Sequence, residues 1–121
     1  MSRTVAPRVG WVGVGWAAVA GLALAQAPVP AGDPTSIVVR YHEAARAAEL
    51  CADKKFTRAE EDRLAVMVGQ ATRHQLPVGD ELIAIRSARA EMEARIHSTG
   101  CTDPLVADAL RFYDQFKNQL R

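Results

Sequence analysis

Two cysteines, Cys51 and Cys101, are the residues whose type and spacing most readily support chemistry. Such a pair supplies a disulfide, a redox couple or two ligands for a soft metal ion. There is no C-x-x-C to depress a thiol pKa and no C-x-x-C-H for haem attachment, which argues against the last two uses. We therefore predict a structural Cys51–Cys101 disulfide, which requires an oxidising compartment.

Three histidines are the next candidates, for metal binding or acid–base catalysis. Glu93 and His97 are spaced to share one helix face, but a metal site needs at least a third ligand and the local sequence offers none. We expect a solvated pair there, a surface position for His42 and a helix-end role for His74. The sequence therefore predicts no catalytic residues, no metal site, no cofactor and no enzyme activity.

One further group, Arg89 with Phe112, Tyr113 and Phe116, is a possible contact patch for a partner. Arg89 falls on the apolar side of its predicted helix, where an arginine either extends its head to water or pairs at an interface. The three aromatics lie within five positions of each other. We expect them in the core of so short a domain, and a contact patch only where part of the cluster is exposed.

The amino-terminal segment has the features of an export signal. Arg3 and Arg8 precede an uncharged apolar run, residues 9–24, and Ala23-Leu24-Ala25 places small residues where a signal peptidase requires them. The alternative is an uncleaved anchor, but the run is rich in Gly and Ala and shorter than the ~20 strongly apolar residues that cross a bilayer. We predict a signal peptide over 1–25, a periplasmic or secreted product and no stable membrane anchor after cleavage.

The charge balance after residue 25 excludes some classes of partner. The whole chain has a formal net charge of +1, and loss of Arg3 and Arg8 leaves 13 basic against 14 acidic residues. A nucleic-acid surface needs clustered surplus positive charge, so we predict no nucleic-acid binding.

Pro-rich residues 26–34 are expected to form a flexible spacer before a single helical domain over 35–121. Thr35 or Ser36 is expected to cap the first helix, and Thr57-Arg58-Ala59-Glu60 is a capping box for the second. Leu76-Pro77-Val78-Gly79 is predicted to stop the second helix. The third is predicted to start at Asp80 and end at Gly100, and Asp103-Pro104 to begin the fourth. Four apolar stripes at helical spacing define the faces expected to be buried: Ile37, Tyr41, Ala44, Ala48 and Cys51; Leu64, Met67, Val68 and Ala71; Leu82, Ile85, Met92 and Ile96; Leu105, Ala109, Phe112, Phe116 and Leu120.

These features predict an all-α fold, a compact bundle of about four short helices. The disulfide would join the end of the first helix to the start of the last. Because the last helix carries the most aromatic stripe, we expect it to form the centre of the core. Met67 and Met92 lie on apolar stripes and are interpreted as core residues rather than soft metal ligands.

In its plan, the domain resembles the small acid-stress chaperones of the bacterial periplasm. The residues that carry the likeness are Cys51, Cys101 and Thr102-Asp103; no tryptophan precedes Cys51, where that family's pattern leads us to expect an aromatic-polar-Cys-acidic cluster. The resemblance implies a chaperone-like activity at low pH, and the absence of reaction chemistry favours a non-enzymatic binding or interaction protein. Its partner would be an unidentified protein or client of the cell envelope. The alternative is a carrier of a small apolar ligand, held in a cavity lined by residues such as Leu64, Met67, Leu110 and Phe112.

Overall fold

A computed structural model describes residues 32–121, which fold into four α-helices and a terminal 3-10 turn. The helices are α1 (Pro34–Cys51), α2 (Arg58–Ala71), α3 (Val78–Thr99) and α4 (Pro104–Phe116), and the 3-10 turn covers Lys117–Leu120. These residues contain no strand, so the predicted all-α bundle is confirmed. The predicted signal peptide and most of the predicted spacer lie outside the described residues.

The amino-terminal cap of α1 is Asp33, not Thr35 or Ser36 as expected. The Ser36 backbone N–H donates to Asp33 Oδ1 at 2.8 Å, and this hydrogen bond lowers the pKa of the Asp33 carboxyl. Pro34 occupies the first helical position, where its fixed φ suits the helix and its missing N–H costs nothing. The helix therefore begins two or three residues earlier than a Thr35 or Ser36 cap would have placed it.

The caps of α2 and α4 are those the sequence predicted. The Glu60 N–H donates to Thr57 Oγ1 at 3.1 Å, while the Thr57 N–H donates to Glu60 Oε1 at 3.0 Å. Asp103 Oδ1 accepts from the Leu105 N–H at 2.8 Å, with Pro104 at the first helical position. Each cap satisfies backbone donors that the first helical turn leaves without partners.

The α2–α3 connection differs from its prediction at both ends. α2 ends at Ala71, before the expected stop at Leu76-Pro77, because Arg73 and His74 adopt left-handed conformations with φ of 56° and 54°. A Cβ at Gly69 would lie only 2.7 Å from His74 Cε1, so a glycine there leaves room for the ring that closes this turn. α3 then begins at Val78, two residues before the expected Asp80.

The centre of the core is α1, not α4 as expected. α1 packs against all three other helices, and Tyr41 is fully buried between two rings of α4. The Tyr41 ring centroid lies 5.0 Å from that of Phe112 and 5.1 Å from that of Phe116. α4 thus supplies the rings on either side of Tyr41, and α1 supplies the surface against which they pack.

The buried face of α3 is made of small residues. Ala84, Ala88 and Met92 are buried, whereas Leu82 is 49 % exposed. Of the other residues of the predicted stripe, Ile85 and Ile96 are partly buried against the core. The facing side of α1 is also rich in buried alanines, and short side chains let two helix axes approach closely. Close packing of backbones therefore replaces interlocking of large side chains at the α1–α3 interface. Met67 and Met92 are both core residues, as interpreted from the sequence.

The predicted disulfide is present and joins the predicted elements. Cys51 closes the carboxyl end of α1, and Cys101 lies in the turn that follows Gly100, whose φ of +83° ends α3. The two Cα atoms are 5.8 Å apart across a sequence separation of 50 residues. Over residues 32–121, no helix is both long and apolar enough to cross a membrane.

Candidate binding groove between α1, α2 and α3

The principal candidate site is a groove between two helices, α2 and α3. α2 and α3 both pack against α1, but they do not pack against each other. The space between them has a volume of about 380 Å³. Ten residues line it: His42, Ala45, Glu49, Phe56, Glu61, Leu64, Ala65, Glu81, Ile85 and Arg89. We call this space the α1–α2–α3 groove.

Apolar side chains form much of the groove surface. Ala45 contributes to the floor from α1, and Leu64 and Ala65 line the α2 side. Ile85 contributes from α3, and Phe56 from the segment that connects α1 to α2. Because these residues come from every element around the groove, an apolar group placed there would lose contact with water on several sides.

Two arginines neutralise one of the three groove carboxylates. Arg89 Nη1 lies 3.0 Å from Glu49 Oε1, and Arg46 Nη1 lies 3.4 Å from the same oxygen. Arg46 also reaches across to α3, where its Nη2 donates to Glu93 Oε2 at 2.7 Å and lowers the pKa of that carboxyl. The network links α1 to α3 and commits Arg89 to a partner within the chain.

The other two groove carboxylates, Glu61 on α2 and Glu81 on α3, are not neutralised in this way. Among the described residues neither forms a hydrogen bond or ion pair. They lie on opposite walls of the same groove. The groove therefore carries two carboxylates, each in the first turn of its helix, that no side chain among the described residues neutralises.

His42 lies on the groove floor, and the expectation of a surface position was wrong. The side chain is largely enclosed between helices, and this burial, with the nearby charge of Arg89, lowers its pKa to about 4. A burial-depressed pKa keeps the imidazole neutral at pH 7. The sequence pattern did not predict this burial, because His42 lies beside Glu43 and one turn before Arg46. Such a pattern is typical of a polar helix face.

The four residues of the predicted contact patch have different environments. Phe112, Tyr113 and Phe116 are buried in the core at 5 %, 7 % and 0 % exposure, and none of them lines the groove. Arg89 does line it, paired with Glu49. A partner on the outside of the folded domain would therefore meet Arg89 but not the aromatic cluster.

The predicted Glu93–His97 pair is only part of a larger arrangement. Glu93 accepts a hydrogen bond from Arg46 and pairs chiefly with it, with His97 a weaker neighbour. Over the part of the chain that the structure describes, no three His, Cys, Asp or Glu side chains are grouped so as to hold a metal ion.

Sequence reasoning missed Glu61 and Glu81 as groove residues, although a signal was available. Glu81, Ile85 and Arg89 follow each other at four-residue steps, and Glu61 precedes Ala65 by the same step. Each series defines a second face next to the buried face of its helix.

Comparison of the chain with protein-family models, curated proteins and solved structures found no match.

Proposed function

We propose that this domain is a non-enzymatic binding protein of the cell envelope and that the α1–α2–α3 groove is its binding surface. The observation that carries the proposal is the groove itself, whose 380 Å³ lies within the range of about 300–1,000 Å³ usual for small-molecule sites. A mostly apolar lining with a few charged groups is also typical of such sites. The leader pattern over 1–25 and the disulfide support an envelope location.

A binding role is favoured over catalysis by the chemistry of the lining. Apart from its carboxylates and His42, the groove offers no nucleophile, since its lining includes no Ser, Thr, Cys, Lys or Tyr. Its single histidine has no hydrogen-bonded carboxylate within residues 32–121 that would orient it as a general base.

The packing limits where the alternative function, a carrier of a small apolar ligand, could hold its ligand. Of the residues proposed to line its cavity, Leu64 borders the groove, but Met67 and Phe112 are packed in the core. A purely apolar ligand would also lie against the charged groups of the groove, so a ligand with a polar or charged end fits better.

Filling the groove tests this proposal. Ala65 lines the groove and is exposed, so Ala65→Trp is expected to occupy the space without disturbing the core. Val66, the next residue, is 58 % exposed and does not line the groove, so Val66→Trp is a matched control. Small molecules retained from a native envelope extract would be identified by mass spectrometry for the wild type and both variants.

We expect the wild type and Val66→Trp to retain the same compound and Ala65→Trp to lose it. Equal retention by all three proteins would place binding elsewhere on the molecule. Absence of any retained compound from the wild type would count against a small-molecule binding role.

A second candidate function, an acid-activated chaperone, is favoured by the position of His42. Protonation of His42 would add a further cation near Arg89, which already shares Glu49 with Arg46 where α1 and α3 pack together. The charged groups around it are Arg46 and Glu49 on α1, Glu61 on α2 and Glu81 on α3. At low pH these carboxylates lose their charge, and the remaining cations repel each other and loosen the bundle.

Acidification should therefore expose apolar surface. At about pH 3 we expect the protein to bind an apolar fluorescent dye and to suppress aggregation of an acid-sensitive client protein. The same assay at about pH 7 is the control. A bundle that stays compact at low pH, or unfolds without protecting the client, would rule out this second function.

A further inference from the structure

We propose that the α1–α2–α3 groove selects a small organic cation, an ammonium-type head with an alkyl or aryl body. This inference rests on the proposed function, because it names the class of ligand for the same groove. The two unpaired carboxylates, Glu61 and Glu81, would face the head. The apolar lining, which includes Leu64, Ile85 and Phe56, would take the body.

The charge of the groove supports a cation over an anion. Among the described residues that line it, Arg89 is the only lysine or arginine, and Arg89 is already paired with Glu49 at 3.0 Å. His42 is neutral at pH 7 because its pKa is about 4. An anionic head would therefore meet two carboxylates with no free cation, whereas a cationic head would gain from both.

Two further cations near the amino end of α2, Lys54 and Arg58, also have acidic partners. Lys54 Nζ lies 2.7 Å from Glu60 Oε2 and 5.4 Å from the centroid of the Phe56 ring. On the exposed side of α2, Arg58 Nε lies 3.4 Å from Asp62 Oδ1. These pairs leave Glu61, between Glu60 and Asp62 in the sequence, as the carboxylate of that helical turn without a partner.

The apolar lining sets the second requirement for the ligand. A small inorganic cation would gain nothing from Leu64, Ile85 or Phe56 and would keep its hydration. An alkyl or aryl body would bury apolar surface against these side chains, which is favourable in proportion to the area removed from water. The combination of two free carboxylates with apolar walls therefore favours an organic cation over a bare metal ion.

Three probes with one alkyl body and different heads test the charge preference. n-Octylammonium, 1-octanol and octanoate would each be titrated into the intact disulfide-bonded domain, with backbone amide shifts followed by NMR. We expect octylammonium to shift amides around Glu61, Ala65, Glu81 and Ile85 and to bind at least about tenfold more tightly than octanoate.

Paired variants test the two carboxylates. Glu61→Gln with Glu81→Gln is expected to weaken octylammonium binding about tenfold. Asp53→Asn with Glu91→Gln is the control, because it makes the same change in net charge at two exposed residues that do not line the groove. This control should bind octylammonium as the wild type does.

The outcomes separate this inference from the proposed function. If octanol or octanoate binds as tightly as octylammonium, or if the Glu61→Gln/Glu81→Gln variant loses no affinity, the cation preference is overturned and the groove remains a binding site. If none of the probes shifts a groove amide, the inference also fails. The proposed function is then judged by the extract experiment with Ala65→Trp, which assumes no ligand class.

Discussion

Replacing both cysteines, Cys51→Ala with Cys101→Ala, is expected to lower the free energy of unfolding by about 4 kcal/mol. The disulfide closes a loop of 50 residues, and opening it restores the conformational freedom of that loop in the unfolded chain. A loss of this size is comparable with the whole stability of many small domains, which is about 5–15 kcal/mol. Urea denaturation followed by circular dichroism, with and without reductant, would measure it.

The double variant supplies its own control. Reductant should destabilise the wild type by the same amount but leave the variant unchanged, because the variant has no disulfide to reduce. Failure of the variant to fold at 25 °C would agree with the expected loss. A difference below about 1 kcal/mol between oxidised and reduced wild type would show that the helices hold together without the crosslink.

The second large effect is a loss of stability on mild acidification, caused by His42. Its pKa is about 4 in the folded protein against an ordinary value of 6.5, so the unfolded chain binds a proton in this interval that the folded protein does not. Stability from this group is complete above pH 6.5 and is lost as the pH falls towards 4. Between about pH 7.5 and pH 5 we expect a decrease of about 2 kcal/mol in the free energy of unfolding.

The variant His42→Gln should remove this pH dependence, since glutamine does not titrate. His97→Gln is the matched control, because it removes an exposed histidine from α3. The lowered pKa values of the Glu60 and Glu93 carboxyls affect stability only as the pH falls through their ordinary value of 4.5, so they contribute little above pH 5. Equal pH profiles for the wild type and His42→Gln would show that His42 is not the titrating group.

Local signals in the sequence predicted the ends of elements well where a side chain makes a short-range hydrogen bond. The Thr57–Glu60 capping box, the Asp103 cap and the stop at Gly100 all depend on residues within three or four positions of each other. The predicted start of α1 was wrong because Asp33-Pro34, which has the same cap-proline pattern as Asp103-Pro104, was assigned to the spacer. Pairing of the two cysteines was predictable because there are only two.

Long-range packing limited the rest of the prediction. A pattern that weights large apolar residues selected Leu82 as a buried residue of α3, but the alanines of α1 favour Ala84 and Ala88. The groove depends on the distance between α2 and α3 where they pack on α1, and no local sequence pattern encodes that distance. For the same reason the sequence identified Arg89 as unusual but did not identify its partner Glu49.

The one-sided attachment of α2 has a consequence for the size of the groove. α2 packs against α1 and the terminal 3-10 turn, where Arg63 Nη1 donates to the Leu120 carbonyl at 2.6 Å, and its backbone does not closely approach that of α3. Elements with few packed neighbours open locally at a lower free energy than the rest of a domain, and their amide protons exchange sooner. Outward movement of α2 would widen the groove while the Cys51–Cys101 crosslink and the α1–α3 interface stay intact. The groove could therefore accept ligands larger than its volume in this structure. The hydrogen-exchange rates of the α2 amides would measure how often α2 opens enough to admit one.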